Sequence, residues 1–230
     1  MPGKCTGRSL KKQVLAYLGS EDMKAAMEAL RRFPPRKVIN PLFSLLLHRD
    51  PKIKWAAVTG FGAVVSNLAD RNMESARVIM RRLMWQLNDE SGGIGWGCPE
   101  AMGEIMACHE KLAREYAVVL LSYIRPDGNF LEYEPLQPGA LWGIGRLAQV
   151  RPELAGDAAP HLLFFLKSRN ATLRGMAVWV LGLIGAKKAV SEIEPLLDDL
   201  KILEIYLYGR LKPCCVKDLA EEALKRIRKT

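Results

Sequence analysis

The sequence predicts an all-α superhelix of stacked helix pairs, with one small β-hairpin near its end. Three observations carry this. First, one pattern occurs four times: an apolar residue, Ala or Cys four places on, an apolar residue eight on, and Gly nine on. The sets are Ile53/Ala57/Phe61/Gly62, Ile94/Cys98/Met102/Gly103, Leu136/Ala140/Ile144/Gly145 and Leu173/Ala177/Leu181/Gly182. Their glycines lie 41, 42 and 37 residues apart, a period that belongs to stacked supersecondary units rather than one closed globule. Second, proline-marked apolar segments and a polar turn precede several of the patterns, as in a helix pair. Third, Ile202–Lys212 alternates apolar and polar residues about Tyr208-Gly209, which predicts two short strands and a tight turn.

Taken in order, residues 1–35 predict a helical cap. Ser9–Leu18 and Ser20–Phe33 read as two helices ended by Pro34-Pro35. Residues 36–188 predict four helix pairs. First helices open at prolines, as at Asn40-Pro41 and Ala159-Pro160, because proline's missing N–H has no partner in a first turn anyway. Asp50 and Asn170 are placed to cap the second helices. These carry the repeated pattern. Its small residue and Gly let neighbouring helices approach, although Gly weakens a helix interior by about 1 kcal/mol. The glycines of Gly143-Ile144-Gly145 and Gly182–Gly185 are assigned to helices on the same ground. Residues 189–230 predict a capping pair, Ser191–Leu200 and Val216–Ile227, with the hairpin inserted between them. Ala220 and Leu224 keep the register, and Lys225 replaces the Gly, as expected where no further pair follows.

These residues resemble HEAT-like repeats of the bilin-lyase (phycobilisome-lyase) type over about residues 36–230. The resemblance implies a right-handed α-solenoid with first helices on the convex side and second helices lining the concave side. It implies no single function, because such repeats serve many.

Composition narrows the classes. Hydrophobic residues make up 49% of the 230, enough for a continuous core and too many for a disordered chain. Apolar stretches such as Phe43–Leu47 and Ala117–Leu121 fall far short of the ~20 residues a membrane helix needs. Met1-Pro2-Gly3-Lys4-Cys5 has no apolar leader, so a cytoplasmic location is expected and no membrane partner. Five cysteines without a C-x-x-C pair are expected to be reduced. The net charge is +9, with basic residues gathered in 1–37 and 225–229. That charge permits a nucleic-acid partner through a basic surface without requiring one. Three scattered histidines, His48, His109 and His161, and the absence of phosphate-loop or nucleophile motifs in a fitting context predict no metal and no cofactor.

The candidate binding residues follow from helix geometry. At 100° per residue, pattern offsets two and six point nearly opposite the packed offsets zero, four and eight. They hold Trp55 and Thr59, Trp96 and Glu100, Pro138 and Trp142, Gly175 and Trp179. Four of five tryptophans therefore share one expected stripe on the concave side, with part of each ring accessible. Two readings stand: a binding groove, or rings that simply pack across the neighbouring helix at its Gly. Trp85, on a first helix, is read as ordinary packing. Glu100 is the one carboxylate of the eight. It follows the glycine-rich Ser91–Cys98 run, whose poor helix propensity suggests close approach of a ligand or of another backbone. Glu132 and Glu134 open the next second helix and are candidates to join Glu100 in an acidic, aromatic pocket for a cation, or simply to answer the helix dipole.

The leading functional reading is a non-enzymatic scaffold whose Trp-lined groove takes a protein segment or an extended ligand. A second reading is an enzyme or binder of DNA. Trp96 and Glu100 are similar to the aromatic–carboxylate pair of HEAT-like alkylpurine DNA glycosylases, which would make Glu100 catalytic, although the sequence around Trp96 differs from theirs. A third is a bilin-lyase-like chromophore chaperone.

Overall fold

The computed structural model describes residues 7–88 and 95–229. Two compact units, Met1–His109 and Glu110–Thr230, divide the chain.

In the first unit, α1 (Gly7–Leu18) and α2 (Met23–Arg32) precede α3 (Pro35–Leu45), α4 (Pro51–Arg71), α5 (Met73–Leu87) and α6 (Cys98–Cys108). Side-chain caps set their starts. Asp22 Oδ1 accepts from Ala25 N, Asp50 Oδ1 from Lys52 N and Asn72 Oδ1 from Ser75 N, each at 2.9 Å. Each cap satisfies a donor the helix leaves unpaired, a contribution of about 1 kcal/mol. The helix α4 is buried nearly all round, from Ile53 and Val58 to Phe61 and Val65, as expected for an element with neighbours on every side. Gly60 lets Leu42 and Leu30 close on it, and Gly62 lies against Glu104 and Cys108 of α6.

The second unit contains α7 (Glu110–Ser122), α8 (Gln137–Ala148), α9 (Ala159–Leu166), α10 (Ala171–Leu183), the short α11 (Val190–Ile193) and α12 (Val216–Ile227), with β1 (Ile202–Leu207) and β2 (Arg210–Cys215) between the last two. The stacking rule of the first unit recurs. Gly145 faces Trp179 of α10, and Gly182 faces Ala223 of α12. A Cβ at Gly62, Gly145 or Gly182 would come within 2.0–2.7 Å of the next pair's second helix, closer than real contacts allow. At these three repeat glycines successive second helices touch.

The strands are antiparallel, Ile202 opposite Cys215 and Leu207 opposite Arg210. Tyr208 and Gly209 both have positive φ, 52° and 80°, the mirror-image turn that suits a two-residue hairpin. Leu203 and Ile205 are buried while Ile202 is exposed, so the period-two pattern puts one face on the helices.

Four expectations need correction. Helix α3 starts at Pro35, which leaves Pro41 inside it. The last first helix is α-helical only over Val190–Ile193 and continues as a 3-10 stretch through Asp198, since Pro195 cannot supply an α-helical N–H. The hairpin extends to Cys215, because Pro213 lies on a strand with one neighbour, where its missing donor costs little. Gly185 lies past α10 with φ 67°, and Ala186 N donates to Leu181 O at 3.1 Å. It therefore closes the helix as a left-handed cap.

Candidate functional site

In the first unit, the predicted site residues lie on α4, on α6 and in the turn before α6. Trp55 is 9% exposed, and the Lys54 ammonium sits 5.3 Å from its ring centroid, within cation–π range. Thr59 is half-buried, and its hydroxyl donates to the Trp55 carbonyl at 3.2 Å. Trp96 is half-buried. Glu100 is buried, and its carboxylate accepts from Lys54 Nζ at 2.8 Å. Only 6% of its side chain remains accessible. Such a pair holds because attraction offsets the cost of removing both charges from water. The expected open carboxylate is therefore corrected: Glu100 is a neutralised, buried partner of Lys54.

The glycine-rich turn falls partly outside the described residues, as does Ile94. Of what is described, Gly95 lies so near α5 that a Cβ would meet Gln86 O at 2.9 Å. Gly97 has φ 77° and packs on Leu46. At these two positions the close approach is to the chain's own helices. Beside them, Cys98 donates to Gln86 Oε1 at 3.3 Å, and burial, followed by the nearby Glu100 charge, pushes its thiol up to about 12.

In the second unit, the predicted stripe is occupied by the hairpin. Trp142 is 2% exposed, and its indole Nε1 donates to the Tyr206 backbone carbonyl at 2.8 Å. The Trp142 and Tyr206 rings lie 6.1 Å apart. Leu203 of β1 sits directly over Gly175 of α10, 2.6 Å from where a Cβ would stand. Arg174 fixes the hairpin's base. Its Nε and terminal guanidinium nitrogen both reach Asp199 Oδ2 at 2.7 Å, and it also donates to Ser168 O and Arg169 O. Trp179 is 8% exposed, with its ring laid on Gly145. The expectation of partly open rings is thus corrected for Trp55, Trp142 and Trp179. Pro138 is half-buried and Gly175 is buried. Offsets two and six do point away from the packed stripe, but in this unit chain-distant residues cover them. Arg174 and Asp199 were missed. The one signal available was an Arg placed beside the pattern's first apolar position.

Glu132 and Glu134 do not open α8 as expected: Glu132 lies in the preceding loop and Glu134 begins a 3-10 turn, Glu134–Leu136. Both are exposed, and Glu134 Oε1 accepts from Asn170 Nδ2 at 2.9 Å. They belong to the second unit and Glu100 to the first.

A family model for the HEAT-like repeat matches residues 134–184, and one for the PBS lyase HEAT-like repeat matches 173–199. Residues 134–199 thus carry HEAT-like repeats. No curated protein sequence matches the chain. Its fold is similar to a crystal structure of an engineered protein at 16% identity and TM-score 0.54, covering 96% of each chain. It is also similar to a designed armadillo repeat protein in complex with the peptide (KR)4, at 16% identity and TM-score 0.52, over 94% of this chain and 98% of that one. Kap121p bound to Nup53p matches at 16% identity and TM-score 0.56, over 96% of this chain and 25% of that one. At these identities the likeness is one of fold: an armadillo/HEAT-type solenoid.

Among the described residues the open tryptophan is Trp85, 81% exposed on α5. That corrects its assignment to ordinary packing. Among the described residues, no group of three His, Cys, Asp or Glu side chains could hold a metal ion. Cys98, Cys108, Cys214 and Cys215 form no disulfide. No described helix is long and apolar enough to cross a membrane.

Proposed function

We propose that this protein is a non-enzymatic scaffold that binds an extended segment of another protein on the second helices of its first unit. One observation carries the reading. In the second unit, the equivalent helix faces already hold an extended backbone: Trp142 grips the Tyr206 carbonyl and Gly175 admits Leu203. A tryptophan N–H aimed at a carbonyl, beside a position without a side chain, recognises main chain rather than one sequence.

In the first unit, Trp96 and Thr59 are the half-buried members of the set and supply the contact surface. Trp55 and the Lys54–Glu100 pair stiffen the floor beneath them. The neighbours point the same way by analogy of fold: a designed repeat protein in complex with a peptide, and Kap121p bound to Nup53p. A glycosylase reading gains nothing from the geometry, because Glu100 is paired with Lys54 and nearly closed to solvent.

Selection from a random displayed-peptide library against the whole chain tests this. Recovered peptides should bind Trp96→Ala ~5- to 150-fold more weakly, the ~1–3 kcal/mol of a central aromatic anchor. The melting curve should be unchanged. Equal binding to wild type and variant contradicts the proposal.

A further inference from the structure

We infer that the cleft between α1 and α3 is a second, separate docking site, and that its occupant is an acidic protein segment carrying apolar side chains. The inference does not rest on the second-helix reading, since it uses other helices and other residues.

The cleft has a volume of about 490 Å³. Lys11 of α1 and Arg36 and Lys37 of α3 supply three cations to its lining, which contains no carboxylate. All three are exposed, and among the described residues none has an ion-pair partner. Elsewhere on this unit some exposed charges find opposite partners, as in Lys52–Glu21 and Arg81–Glu74, while others such as Lys12, Arg31 and Arg32 are exposed singly. The cleft differs in gathering three cations into one lining. Asn40 also lines the cleft, and its amide oxygen is taken: Arg82 donates to Oδ1 at 2.6 Å. The NH2 of Asn40 is thereby left as a donor. Cationic and amide donors converge where no carboxylate answers them, an arrangement that selects an anion.

Two features favour an acidic peptide over a phosphate backbone. Leu10 and Pro41 supply apolar surface to the lining, which phosphates and sugars do not use and apolar side chains do. Pro41 also stands inside α3. Having no N–H, it withholds the usual helical hydrogen bond from the Lys37 carbonyl. A peptide N–H is the kind of donor such an oxygen takes, and a phosphodiester has none.

The test uses the full chain and a short fluorescein-labelled peptide alternating Glu with Leu. The comparison probes are an all-Glu peptide of equal length and a single-stranded oligonucleotide of equal charge. The double variant Arg36→Glu/Lys37→Glu reverses two cleft charges. Acidic residues in a helix's first turn suit its dipole, so this variant is expected to fold. Lys187→Glu/Lys188→Glu makes the same change in net charge at exposed sites in the second unit. Expected is a loss of Glu/Leu-peptide affinity of at least ~10-fold for the cleft variant and under ~3-fold for the control variant, with Trp96→Ala binding as wild type. No measurable binding, equal losses in both double variants, equal affinity for the all-Glu peptide, or tighter binding of the oligonucleotide would each overturn the inference.

Discussion

The indole N–H of Trp142 and the backbone carbonyl of Tyr206, 64 residues apart in sequence, meet at 2.8 Å. This bond joins a repeat helix to an inserted strand, and it explains why a tryptophan stands on a helix face that a solenoid would otherwise leave open. Trp142→Phe keeps the ring's bulk and removes the donor, leaving a partly buried carbonyl without this partner. It should cost ~1–2 kcal/mol and speed amide exchange across Ile202–Cys215 more than in α12. Unchanged exchange in the strands would mean that the bond does not hold the hairpin.

The Arg174–Asp199 pair, with side chains 14% and 13% exposed, anchors the hairpin's base. Removing one partner strands the other charge. Arg174→Ala and Asp199→Ala should each destabilise the chain by ~2–4 kcal/mol in urea unfolding, and the double variant by much less than the sum. Additive losses would show that the two act separately.

Two glycines of the second unit should respond in opposite directions. At Gly145 an added Cβ would lie 2.0 Å from a Trp179 ring carbon, whereas at Gly156 it would meet nothing within 4 Å. Gly145→Ala should cost at least ~1–3 kcal/mol through overpacking, despite Ala's better helix propensity. Gly156→Ala should be neutral or stabilise by up to ~1 kcal/mol. Thermal melts of the two variants decide it, and similar melting points would contradict the stacking role of Gly145.

These contrasts show how far the sequence reaches. A period near 40 and an Ala/Gly pattern dictate how consecutive helices pack, so the helix pairs, the second helices and the turn at Tyr208-Gly209 were legible. The hairpin's destination was not. Nothing local to Trp142 or Gly175 signals that β1 will lie over them, because that contact links residues some thirty to sixty positions apart. The same blindness hid Lys54 from Glu100, and Arg174 from Asp199. Trp85 shows the converse: a tryptophan at a helical position says nothing by itself about whether another element covers it.

The Cys98 thiol, pushed up to about 12 from its ordinary 9.0, links stability to pH. The folded state keeps the proton that the unfolded chain gives up, so the thiol's contribution is full below about pH 9 and is lost as pH rises toward 12. Urea unfolding of wild type and Cys98→Ala should therefore converge above pH 9, by up to ~1.4 kcal/mol per pH unit. A difference that stays constant from pH 8 to 11 would contradict this.

The central claim is that the second helices of the first unit take an extended segment as those of the second unit take β1. Amide exchange of the full chain, with and without a library-selected peptide, tests it most directly. The account predicts that the peptide slows exchange in Pro51–Arg71 and Cys98–Cys108 and leaves the strands Ile202–Leu207 and Arg210–Cys215 unchanged. Protection confined to α3 and α5, or strands that open as the peptide binds, would contradict it.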